Sequence, residues 1–181
     1  MEVVIAIILS AVLYMQGLQY LGNSQPKTQG AGALAGPKTV GLVAGVGAIA
    51  LAGLAIFRPL NVLTKSEPEA VATGTFVLAI YAALVAAVGL WDFDPRGLGW
   101  YSGFAALSML GQIYSTSVVA YTLAGIIEGI VLFVAFGVVF LYLALRMESL
   151  RALTAWVLLI AAAVLWVLVG LVLGKTSGLL S

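Results

Sequence analysis

The sequence predicts an all-α integral membrane protein: a six-transmembrane-helix bundle, one membrane domain over residues 1–181, both termini on the same, outer side. Three observations carry that expectation. Hydrophobic residues make up 63% of the chain and charged residues only 8%. A soluble domain carries about 25% charged residues, so this chain has too few to cover a surface facing water. The few charges also collect in short breaks between apolar runs, each near the ~20 residues that cross a bilayer. The densest break holds Asp92, Asp94, Pro95 and Arg96, flanked by Trp91, Trp100 and Tyr101. Pro95, Gly97 and Gly99 read as helix breakers there, and the aromatic rings as anchors at headgroup depth.

The spans follow in order. The first is 3–21, polar at its end with Gln16, Gln19 and Tyr20. A loop rich in Gly, Pro, Gln and Lys follows over 23–38. The second span, 39–57, sets Gly41, Gly45, Ala48, Ala52 and Gly53 at spacings that let a neighbouring helix approach closely. After a loop with Pro59 and Pro68 comes the third span, 70–90, which ends at the charged turn. From 97 to 145 no Lys or Arg occurs and Glu128 is the only acid. That length suits two spans, 100–119 and 127–145, with the break between Ser115-Thr116-Ser117 and Gly125 to Gly129. Arg146, Glu148 and Arg151 form a short loop before the sixth span, 152–173. Short loops make sequential helices antiparallel neighbours.

With six spans, Lys27, Lys38, Arg96, Arg146 and Arg151 fall on one side, and Arg58, Lys65 and Lys175 on the other. The positive-inside rule then puts both termini outside and the chain in the inner (plasma) membrane as a multi-pass protein. Ala33-Leu34-Ala35 fits a signal-peptide cleavage site, but Glu2 stands where such peptides carry Lys or Arg. The first apolar run is therefore expected to stay as a span.

Composition excludes several functions. Net charge is +1, with no basic cluster, so nucleic acid is not an expected partner. Cys and His are both absent. That removes disulfides, thiolate chemistry, the commonest metal ligands and the ordinary pH switch. No span holds a Lys base or a pair of carboxylates, so an enzyme is not expected, and neither is a metal or other cofactor.

The sequence resembles the AmiS/UreI family of urea and short-chain amide channels. The likeness lies in Gly89-Leu90 ending span three, the acidic-Pro-Arg turn, and Trp100-Tyr101-Ser102 opening span four. It extends to Thr73-Gly74 and Tyr81 in span three, and to Glu128-Gly129 before span five. It also includes Tyr14-Met15-Gln16-Gly17-Leu18 and Leu21-Gly22, with Gln16 where the family often has Asn. The resemblance covers nearly the whole chain. It implies a twisted six-helix bundle, a hexameric homo-oligomer, a pore through each protomer and passive permeation of a small neutral amide or urea across the lipid bilayer. Three departures stand out. Phe133, Phe136 and Phe140 occupy positions where the family's urea channels carry tryptophans, Ala161 replaces a glutamate of the last span, and there is no His for an acid-gating loop.

A path for a planar, dipolar, uncharged solute needs a few donors and acceptors and a narrow apolar slot. Phe133, Phe136 and Phe140 share one helix face. That face fits either a slot wall or helix packing, and the resemblance favours the wall. Tyr81, Gln16, Ser108 and Gln112 are the polar side chains at span depth, where polar groups need partners. Each fits either the pore or a bond to a neighbouring helix, and Tyr81 has the strongest claim to the pore. Glu128 fits either a pore mouth or a helix N-terminus favoured by the dipole. The rival readings are a coupled small-solute transporter, which usually needs an ionisable group at midplane, and a non-conducting accessory subunit.

Overall fold

The computed structural model describes residues 2–24, 36–61, 69–115, 117 and 123–176. Its helices are α1 (Glu2–Ser24), α2 (Pro37–Asn61), α3 (Glu69–Trp91), α4 (Pro95–Ser115), α5 (Leu123–Leu143) and α6 (Arg151–Thr176). A 3-10 turn, Glu148–Leu150, precedes α6. No strand occurs among the described residues. Among the described residues, every helix except α4 is long and apolar enough to cross a membrane. The small-residue stretch 33–35 lies outside the described residues, as do Lys27 and Lys65.

Helices α1, α2, α3 and α6 match the expected spans with a few residues added at their ends. Helix α5 is displaced slightly toward the N-terminus. Helix α4 differs more at its start, which is Pro95 rather than residue 100; it is described to Ser115, and its expected end at 119 lies outside the described residues. The expected breaker is a starter, because proline lacks only an N–H that a first helical turn leaves unbonded anyway. Asp94 completes the start. Its Oδ1 accepts the Arg96 N–H at 2.9 Å, which is N-cap geometry. So the acidic turn uses Asp94 to cap a helix.

The turn itself is short because Asp92 takes a positive φ of 53°, a conformation that Asp tolerates better than most residues. Phe93 N–H then reaches back to the Ala87 carbonyl at 3.5 Å. Arg146 repeats the device after α5, with φ 55°. There Met147 N–H donates to the Leu141 carbonyl at 3.4 Å.

Each helix packs against its neighbours in sequence, and α6 packs back on α1, so the six form a closed ring. The closest pairs are α2 with α3, α1 with α6, and α4 with α5. Glycines make them close. A Cβ on Gly41 would stand 2.9 Å from Leu90 of α3, and one on Gly89 would meet the Pro37 carbonyl. A Cβ on Gly17 would stand 2.9 Å from Leu159 of α6. Gly99, read from sequence as a breaker, is instead the seam of α4 and α5: its Cβ would lie 2.5 Å from the Ala144 nitrogen.

Large apolar side chains face outward, among them Leu42, Val46 and Ile49 on α2 and Trp156, Ile160 and Trp166 on α6. A bilayer is the solvent that suits such a surface. With Trp91, Phe93 and Trp100 exposed at the charged turn, the chain has the surface of a multi-pass membrane protein.

Candidate functional site

A closed ring of helices leaves its axis to side chains. Here α1, α3 and α5 supply them, although α3 and α5 make no close backbone contact among the described residues. Tyr81 of α3 and Phe136 of α5 are both fully buried. Their rings meet across the axis with centroids 4.7 Å apart, tilted by 55°.

Polar contacts continue from this pair along α1. The Tyr81 hydroxyl donates to Gln16 Oε1 at 2.6 Å. Gln16 Nε2 donates to the Tyr20 hydroxyl oxygen at 3.0 Å. Tyr20 in turn meets Tyr142 of α5 edge-on, with centroids 5.3 Å apart. Gln16 and Tyr20 are one turn apart, so one face of α1 carries both. The line Tyr81–Gln16–Tyr20–Tyr142 thus runs from the centre of the ring toward the end where α1 and α3 finish.

An open cleft of about 200 Å³ lies at that end. Gln16, Gln19, Tyr20, Tyr142, Pro95 and Arg151 are among its walls. Arg151 Nε is itself fully buried and has no acceptor among the described residues. The charged turns of α3–α4 and α5–α6 frame the same end.

The remaining expected site residues lie elsewhere. Phe140 packs under Trp100 of α4, centroids 5.4 Å apart, and over Gly103, so it belongs to the α4–α5 seam. Phe133 is half-buried against the core. The aromatic stripe of α5 is therefore split, and Phe136 alone of the three meets Tyr81. Ser108 is half-buried and donates to the Ala105 carbonyl of its own helix at 2.7 Å. Gln112 is half-buried, with Oε1 against Gly74 of α3. Glu128 is half-buried in the second turn of α5. Both Gln112 and Glu128 have interaction partners.

Sequence pattern alone singles out neither Tyr20 nor Tyr142 as site residues. The available signal is the Gln16–Tyr20 spacing of four at the polar end of an apolar helix, which puts both polar groups on one face. Nothing in the sequence around Tyr142 marks it, because its position depends on how α5 meets α1.

No curated protein and no solved structure matches the chain. The sequence profile described as AmiS/UreI family transporter matches residues 1–174. With nearly the whole length matched, on a ring of apolar helices that gathers polar and aromatic groups on its axis, the chain belongs to the AmiS/UreI family of transporters.

Proposed function

We propose that the protein is a passive channel for urea or short-chain aliphatic amides, with a pore along the axis of each protomer. One observation carries the reading: the buried line from Tyr81 through Gln16 to Tyr20 inside a closed helix ring. The line offers hydroxyl and amide groups beside an aromatic face, which is what a planar dipolar solute needs in place of water. Its members are two tyrosines and a glutamine, with Phe136 beside them, and none of these is charged near neutral pH. Proton coupling usually requires an ionisable group at that depth, so passive flow fits better than coupled transport.

The cleft supports an entry at one end. Arg151 lines it, and its guanidinium disfavours cations there. Tyr81 and Phe136 are in contact across the axis, so a solute passes only when one of those rings moves. Phe133, Phe140, Ser108 and Gln112 then support the wall from behind, and Glu128 stands toward the opposite mouth.

The reading takes α4 as a sixth span in a single membrane domain. Its polar side chains are compatible with lipid depth because they are bonded: Ser102 to the Leu98 carbonyl at 2.7 Å, and Tyr101 to the Val77 carbonyl of α3 at 2.9 Å. Trp100, Phe104, Leu107 and Tyr114 face outward. Six spans with Arg96, Arg146 and Arg151 at the cleft end put that end in the cytoplasm and both termini outside, in the inner (plasma) membrane. The assembly is the hexameric ring that the family resemblance implies.

Shrink–swell light scattering of proteoliposomes tests the proposal. Protein-dependent permeation by acetamide or urea, with glycerol slower and ions excluded, is the expected result. Rates equal to those of empty liposomes would favour an accessory subunit. Internal acidification driven by the solute gradient would show coupling.

A further inference from the structure

We propose that the Gln16 carboxamide is a tethered stand-in for the permeating amide. It occupies a two-point subsite formed by Tyr81 and Tyr20 until a solute displaces it. The proposal rests on the channel reading and specifies the solute class and the means of opening.

The geometry supplies the two points. Tyr81 O–H donates to the amide oxygen at 2.6 Å, and the Tyr20 oxygen accepts from the amide nitrogen at 3.0 Å. A carbonyl and an amino group on one planar carbon satisfy both hydroxyls together. Acetamide carries that same group, and urea carries it twice. An exchange of Gln16 for either solute restores each hydrogen bond that it breaks. A polyol such as glycerol has no coplanar carbonyl and amino pair, so its exchange leaves one hydroxyl with poorer geometry.

A second observation says where the displaced side chain goes. Gln16 also lines the open cleft, whose wall includes Gln19, Tyr20 and Arg151. A Gln16 carboxamide rotated into that cleft enters a space whose walls carry the polar side chains of Gln19, Tyr20 and Arg151. Closed and open states then both keep the carboxamide among polar groups, which suits a gate worked by a solute of modest affinity. The Tyr81–Phe136 contact lies directly beyond the hydrogen bond that is released, so loss of Gln16 frees the Tyr81 ring to turn.

The experiment has two parts. Acetamide and glycerol fluxes are measured for the wild type, Gln16→Ala and Gln16→Met, the last keeping most of the volume without the bonds. Removal of one or two closed-state hydrogen bonds is expected to raise acetamide flux about 3- to 10-fold and to narrow the acetamide-to-glycerol ratio. Adding Tyr20→Phe to Gln16→Ala should then lower acetamide flux and leave glycerol unchanged. In parallel, the side-chain amide resonance of Gln16 is followed in wild-type protein with nitrogen-labelled glutamine. Acetamide should shift and sharpen it, and glycerol should not. Wild-type acetamide rates equal to empty liposomes would overturn the channel and the stand-in together. Acetamide conducted by the wild type with a fixed Gln16 resonance, or with unchanged flux in folded Gln16→Ala, would overturn the stand-in alone.

Discussion

The Tyr81 hydroxyl of α3 donates to Gln16 Oε1 of α1 at 2.6 Å, between two helices whose backbones touch at few points. A hydrogen bond in that position ties together parts of the ring that backbone packing leaves apart. It also sets the orientation of the Tyr81 ring against Phe136. Tyr81→Phe removes the donor and leaves Gln16 Oε1 buried without one. The expected cost is about 1–3 kcal/mol of stability, read as a lower midpoint in detergent thermal unfolding. Acetamide-over-glycerol selectivity should fall as well. Unaltered selectivity in folded Tyr81→Ala would remove Tyr81 from the pathway.

Phe136 tests the other half of the pair. It is fully buried against Tyr81 of α3, so Phe136→Ala leaves a cavity that the ring closes only partly. A loss of about 3–5 kcal/mol is expected. Because the cavity lies on the axis, glycerol permeation should rise while stability falls. Phe140→Ala, at the α4–α5 seam, should destabilise without that leak.

The glycines of α4 make opposite predictions within one turn. A Cβ on Gly99 meets the Ala144 backbone nitrogen at 2.5 Å, whereas one on Gly97 meets nothing within 4 Å. Gly99→Ala should cost about 1–3 kcal/mol, since backbone on both sides must shift. Gly97→Ala should be neutral or stabilising by up to about 1 kcal/mol, the difference in helix propensity. Equal thermal midpoints for the two variants would contradict the close α4–α5 approach.

Asp94 caps α4, and its role is separable from its charge. Asp94→Ala removes the acceptor for the Arg96 N–H and should cost about 0.5–2 kcal/mol. Asp94→Asn keeps an acceptor and should retain most of the stability. A larger loss in the Asn variant than in the Ala variant would show that charge matters more than the cap.

Much of this architecture is legible in the residues themselves. Apolar runs bounded by charged turns locate α1, α2, α3, α5 and α6, because bilayer thickness fixes their length. Gly41 and Gly45 announce a close neighbour, and α3 is that neighbour. The start of α4 was harder to read. Pro95, Gly97 and Gly99 are turn residues by propensity, and only the α5 contact reveals that Gly99 is small to admit a helix. The site was legible in part. Tyr81, Gln16 and Phe136 are each visible as polar or aromatic residues at span depth. Their meeting depends on ring closure by α1 and α6, a contact between the first and last helices that no local pattern encodes. The split of Phe136 from Phe140 likewise comes from helix rotation, since residues four apart on a helix share a face but not always a neighbour.

The pathway should also be insensitive to mild acid. Histidine is the side chain whose ordinary pKa puts its charge change between about pH 5 and pH 8, and the sequence has none. The groups on the axis are phenols and an amide, neutral through that range, so protonation has nothing there to change. Acetamide flux through proteoliposomes is therefore expected to vary by less than about twofold from pH 5 to pH 7. A steep, reversible rise on acidification would point to a carboxylate acting as the gate. Glu128, half-buried in the second turn of α5, is the first candidate, and Glu128→Gln would then abolish the response.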